Sequence, residues 1–162
     1  MKPPNFLSIL RVLRKEKVDF IVVGGVAGVL QGAPITTFDL DLVHSRDSAN
    51  IERLLGALEL LGAHYRLPGA AQKKPERSHL LSSGHQILMT REGPLDLLGT
   101  IGCSRSYEDL IGKTVRLQIG KGLQVSVLEL DSLIEVKEET AGEKDKAALI
   151  VLRRTAQEKG KV

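Results

Sequence analysis

The chain has 162 residues, 42% of them hydrophobic and 27% charged, with a formal net charge of +3 and a single cysteine. That length suits one domain with its own core, and the balance is that of a globular chain rather than a disordered or membrane-spanning one. Aromatic residues make up 3% and tryptophan is absent, which disfavours the base-stacking modules that grip single-stranded nucleic acid. Cys103, alone, can form neither an intramolecular disulfide nor a cysteine zinc framework, and it fits a reducing, cytoplasmic setting. The start of the chain lacks the basic and apolar run of a secretory signal, and the longest apolar stretch, 20–30, falls short of the roughly 20 residues that cross a bilayer. No membrane association is expected. The small positive charge suits polyanionic ligands without deciding for them.

In chain order, Phe6, Ile9, Leu10 and Leu13 recur at helical spacing, so 5–17 is predicted to be an amphipathic helix with Arg11, Arg14, Lys15 and Lys17 on its outer face. Residues 19–23 are short and β-branched, a strand that ends in Gly24-Gly25, and 26–31 can form a short helix before Gly32-Ala-Pro34 stops it. Residues 37–43 alternate, with Phe38, Leu40 and Leu42 on one face and Thr37, Asp39, Asp41 and Val43 on the other. A helix follows at 48–61, capped by Ser45 or Asp47 and stopped by Gly62. Residues 67–78, with Lys73, Lys74 and Arg77, form a basic loop suited to meeting a substrate. A hairpin is predicted from 79–81 and 85–90 around Ser82-Ser83-Gly84, then a strand at 95–100 holding Asp96, then a second hairpin from 114–119 and 123–128 around Gly120 and Gly122. Helices at 131–140 and 143–157 complete the chain as a pair. The expectation is an α/β (α+β) fold, a mixed and twisted sheet flanked by helices, in one domain spanning 1–162 with a C-terminal helical pair at about 131–157.

Asp39 and Asp41, two apart on a strand, leave the same face, close enough for both to reach one or two divalent cations. Strand propensity disfavours Asp in an apolar alternation unless something compensates, and Asp96 between Leu95 and Leu97 shows the same conflict. A two-metal displacement needs a third carboxylate from a neighbouring strand, and Asp96 is the candidate. Gly24-Gly25, opening a short helix, suits a triphosphate, because unhindered backbone N–H groups can face its oxygens. Each element has an ordinary alternative: a tight turn for the glycines, solvated acids for the pair, and an edge or capped position for Asp96.

Val22-Val-Gly-Gly-Val-Ala27, followed by Thr37-Phe-Asp39-Leu-Asp41-Leu-Val43, resembles the signature of the DNA polymerase β-like nucleotidyltransferase superfamily. Gly93-Pro-Leu-Asp96, Leu133-Ile-Glu-Val-Lys137 and Lys144-Asp145 are similar to segments of its small bacterial group, related to minimal nucleotidyltransferases and abortive-infection-type toxins. The resemblance covers most of the chain. It implies Mg²⁺, two ions with Mn²⁺ as an alternative, held by Asp39, Asp41 and Asp96, and a nucleoside triphosphate such as ATP against Gly24, Gly25 and Thr37. It also implies Lys137, Lys144 and Asp145 near the phosphates or base, and transfer of a nucleoside monophosphate to a tRNA, protein or small-molecule hydroxyl. In the toxin branch a cognate antitoxin or helper chain would be the partner. Two positions depart from the pattern: relatives often carry arginine where this chain has Pro34-Ile35, and again where it has Gly142. The rival is a catalytically inactive module of the same fold that binds RNA or a partner protein.

The histidines at 44, 64, 79 and 85 make no helical i, i+4 pair and have no cysteine nearby in sequence, so a zinc site is not expected. Ser82, Ser83 and Ser104 lack a nucleophile-elbow context. His44 closes the acidic strand, where a plain structural histidine is the simpler expectation.

Overall fold

The computed structural model describes residues 3–68, 72–140 and 143–160. Helix α1 (Phe6–Lys15) starts where the Asn5 side chain accepts the Ser8 amide at 3.0 Å, and it buries Ile9, Leu10 and Leu13. Lys17, at φ 61°, turns the chain left-handed into strand β1 (Phe20–Val23), all four of whose residues are buried. A strand apolar on both faces belongs mid-sheet. Helix α2 (Gly24–Leu30) follows without a linker. The buried Gln31 amide then donates to Ala27 O and to Leu128 O, at 3.0 and 2.8 Å, tying the end of α2 to a distant strand.

Strand β2 (Leu40–His44) and helix α3 (Ser48–Leu60) are followed by a two-residue strand, β3 (His64–Tyr65), and a short helix, α4 (Arg77–Leu81). Strands β4 (His85–Thr90) and β5 (Gly93–Leu98) form a hairpin, with Gly93 at φ 131° closing its turn. Helix α5 (Tyr107–Leu110) and a 3₁₀ turn lead to the hairpin β6 (Thr114–Ile119) and β7 (Leu123–Leu128), then helices α6 (Leu130–Glu139) and α7 (Glu143–Lys159). Among the described residues seven strands form one sheet in the order β3-β4-β5-β2-β1-β7-β6. It is mixed: β1 runs antiparallel to β2 and parallel to β7, while β2 and β5 are parallel. With its flanking helices this is the expected α/β class. No described helix is long and apolar enough to cross a membrane.

Two local expectations are corrected. Residues 79–81 belong to α4, not to a hairpin with β4; the Glu76 and His79 side chains cap that helix reciprocally, and β4 pairs with β5 instead. The acidic strand begins at Leu40 rather than Thr37, which leaves Phe38 outside the sheet and 75% exposed. Alternation carried the pattern past the strand's true start, where Thr37 Oγ1 donates to Asp39 O at 3.1 Å and the chain turns.

Candidate functional site

One row of backbone partners crosses the sheet and assembles the site. Val23, the last residue of β1, stands opposite Asp41; Asp41 stands opposite Asp96; Asp96 stands opposite Ile87 of β4; and the Arg66 amide donates to Ile87 O at 3.0 Å. Neighbours in such a row share a face. Asp41, Asp96 and Arg66 therefore project together, although they are far apart in sequence. The Arg66 guanidinium lies 3.0 Å from Asp96 Oδ1 and 4.0 Å from Asp39 Oδ1, and it also donates to Leu88 O at 2.8 Å. Arg66 thus bridges two of the three acids.

Asp96 is 9% exposed, and its carboxyl shares a hydrogen bond with that of Asp41. Burial, then the negative charges of Asp96 and Asp39, push the Asp41 carboxyl up to about 7, while Lys137 pulls the other way. Burial also raises Asp96, against the pull of Arg66. Three acids are thus balanced by one guanidinium, the Lys137 charge and a shared proton.

Gly24 and Gly25 are dictated by this packing. Gly24 has φ 67°, and a Cβ there would stand 2.3 Å from Asp41 Oδ2. A Cβ on Gly25 would stand 2.8 Å from Thr37 Oγ1. The glycines let the β1–α2 turn press directly on Asp41 and Thr37, which is a reason for their identity independent of any phosphate.

A cavity of about 400 Å³ opens beside them, lined by Gly24, Gly25, Asp41 and Lys137 together with apolar residues that include Ile35, Leu98, Leu133 and Leu152. Asp39, Asp41, Asp96, Gly24, Gly25, Thr37 and Lys137 are therefore brought into one region. Lys144 and Asp145 lie in the first turn of α7, but their side chains fall outside the described residues, as does Gly142.

Sequence reasoning missed Arg66. No local feature separates it from the other cations of the segment that follows, and only the β3-β4-β5 order carries it to Asp96.

As they stand, the carboxylates do not close around a point: among the described residues no group of three His, Cys, Asp or Glu side chains is arranged to hold a metal ion. The donor chemistry nevertheless fits a divalent cation. Crowded, half-neutralised carboxylates are hard oxygen ligands short of positive charge, and that charge is presently supplied by a proton and a guanidinium.

No protein-family model and no curated protein sequence matches the chain. Solved structures do match in shape. Over 94% of this chain and 98% of its own, the lincosamide antibiotic adenylyltransferase LnuA, solved with lincomycin, superposes with a TM-score of 0.62 at 12% identity. A Thermotoga maritima protein provisionally assigned as a nucleotidyltransferase gives 0.58 at 17% identity, covering 94% and 91% of the two chains. The antibiotic-resistance factor ANT(2'')-Ia, in complex with adenylyl-2''-tobramycin, gives 0.59 at 13% identity over 93% and 87%. The architecture of this chain is accordingly the fold that these nucleotidyltransferase structures share.

Proposed function

We propose that the protein transfers a nucleoside monophosphate from a nucleoside triphosphate to an acceptor hydroxyl, with pyrophosphate leaving. The observation that carries this is the row that sets Asp96 against Asp41, two crowded carboxyls on buried strands, directly beside a glycine turn and a cavity of about 400 Å³. A fold alone does not fix function; acids buried at a cost to stability and gathered at one cleft are a functional signature.

In this proposal Asp39, Asp41 and Asp96 hold divalent metal, Mg²⁺ with Mn²⁺ as substitute. When bound, the metal offsets the charge of the triphosphate and eases ionisation of the acceptor hydroxyl. Gly24 and Gly25 leave room for the phosphates, Lys137 adds a positive charge on the cavity wall, and the apolar lining residues of the cavity take the base or sugar. Asp96, on the Arg66 side, receives the acceptor proton. LnuA is an antibiotic adenylyltransferase solved with lincomycin, and ANT(2'')-Ia is a resistance factor solved with an adenylylated tobramycin; for this chain the acceptor is a hydroxyl on a small molecule, a tRNA or a protein.

The test is calorimetric titration with each of the four ribonucleoside triphosphates, with and without Mg²⁺, on the wild type and on Asp39→Ala/Asp41→Ala. Metal-dependent binding that the variant loses supports the proposal and names the base. Absence of binding in the wild type refutes it. A second reading, a non-catalytic module of the same fold, draws on the Arg66 bridge across the acids, and binding without any transfer from an α-labelled nucleotide to water, RNA or protein would favour it.

A further inference from the structure

A second concavity lies apart from the acidic one. A trough of about 610 Å³ lies between α1 and the β6–β7 hairpin, and its charged lining is wholly cationic: Arg11, Arg14 and Lys15 from α1, and Arg116 from β6, with Gln118 and Gln124 between them. No carboxylate lines it. Arg11 is anchored by donating to Lys121 O at 3.0 Å, and Asp19, at the end of the turn after α1, pairs with Arg53 instead.

Strand pairing fixes where the strand residues of the trough point. Val22 stands opposite both Leu42 and Val127, so Val23, Asp41, Asp96 and the even-numbered residues of β7 share the opposite face. Arg116 pairs with Ser126, and Gln118 pairs with Gln124. Arg116, Gln118 and Gln124 therefore point to the face of the sheet that carries the acids. Three strand spacings and two residues of rise separate Arg116 from Asp41, about 15 Å.

We propose that this trough binds the phosphodiester backbone of a nucleic-acid duplex. Three guanidiniums and an ammonium suit phosphate oxygens, because each arginine offers a fork of donors and a fixed charge. A protein partner would want an apolar anchor at the centre of the patch, and the one apolar lining residue, Leu123, is 5% exposed. A single strand would want aromatic platforms, and none lines the trough. Backbone contacts of this kind are independent of base sequence. The inference stands apart from nucleotidyl transfer, since it uses no residue of the acidic site.

Fluorescence anisotropy of labelled RNA and DNA duplexes of about 20 base pairs, without nucleotide or metal, tests it directly. Four cations predict binding whose log–log salt dependence has a slope of about −3.6, and Arg14→Gln/Arg116→Gln should make the slope shallower by about 2 and lower the affinity by roughly tenfold or more near 100 mM salt. Circular dichroism should show the variant folded, both side chains being outside the core. The Asp39→Ala/Asp41→Ala protein should bind duplex as the wild type does, so this proposal and that of nucleotidyl transfer fail separately. No binding near 50 mM salt, equal binding by the arginine variant, displacement by poly-glutamate at equal charge, or preference for single strands would overturn it.

Discussion

Asp41 and Asp96 face each other across the parallel β2–β5 pairing with their carboxyl groups hydrogen-bonded, a contact that requires a proton between two acids. The folded Asp41 holds its proton up to about 7, against 3.8 for an ordinary aspartate. The native state therefore binds a proton that the unfolded state releases, and the associated stability is full below 3.8 and lost as pH rises through about 7. A divalent cation must displace that proton. Mn²⁺ affinity should accordingly rise with pH and level off above about 7, with release of about one proton on binding well below that pH and none well above it. Calorimetry in two buffers of different ionisation enthalpy measures the release; equal proton counts on both sides of that pH would show that the shared proton is not where the metal goes.

Arg66 is the cation that Asp96 and Asp39 hold in this structure. Arg66→Met keeps much of the side-chain stem and removes the charge, so the protein without metal should lose about 1–3 kcal/mol through the unpaired Asp96 carboxyl. Divalent cations should recover that loss, since a competing positive charge is gone, and Mn²⁺ should bind severalfold more tightly than to the wild type. Urea unfolding with and without Mn²⁺ reads both effects. A variant destabilised equally in the two conditions would make Arg66 a structural arginine only.

What was legible in the sequence is what local pattern encodes. Buried α1 and α3 came from apolar spacing, β1 from four consecutive apolar residues, and the β6–β7 turn from Gly120 and Gly122, both at positive φ. Asp39 does act on Asp41 through its charge, yet it precedes β2 and so lies outside the alternation that paired the two acids, and the nearness of Asp96 needed the order of strands, which pairing across long sequence gaps decides. The error at 79–81 arose because Leu80 and Leu81 fit either period over so short a run, and the helix is set by a cap, Glu76 with His79, that no apolar pattern reveals. Phe38 was placed on the face of Leu40 and Leu42 because it kept their period; exposure of that ring beside Asp39 is a tertiary fact.

The glycines of the β1–α2 turn give a third test, with an internal control. Gly24→Ala places a methyl within 2.3 Å of Asp41 Oδ2 and forces a non-glycine residue to φ 67°, at a cost of roughly 1–2 kcal/mol for the backbone alone. It should displace Asp41 and abolish Mn²⁺ binding even where the protein remains folded. Gly56, inside α3, has no neighbour within 4 Å of the position a methyl would take, and Gly56→Ala should stabilise by about 0.5–1 kcal/mol while leaving metal binding unchanged. Metal affinity and thermal midpoint of the two variants separate the effects; a Gly24→Ala protein with wild-type Mn²⁺ affinity would show that the turn does not fix the carboxyl.

His44, at the end of β2 away from the acids, is 1% exposed, and its Nε2 lies 2.9 Å from Leu80 O, so Nε2 carries the hydrogen that the carbonyl accepts. Its Nδ1 has no partner among the described residues. Burial, with help from the Arg46 charge, lowers its pKa from 6.5 despite the Leu80 bond. The unfolded state then binds a proton that the native state resists, so this stability is full above 6.5 and lost as pH falls through the lowered native value. Asp41 acts with the opposite sign over an overlapping range, and Asp41→Asn removes it. In that background the urea midpoint should fall from about pH 7 to about pH 5, and His44→Gln, which can keep a donor toward Leu80 O without titrating, should flatten the fall. An unchanged slope in the double variant would assign the acid sensitivity to another group.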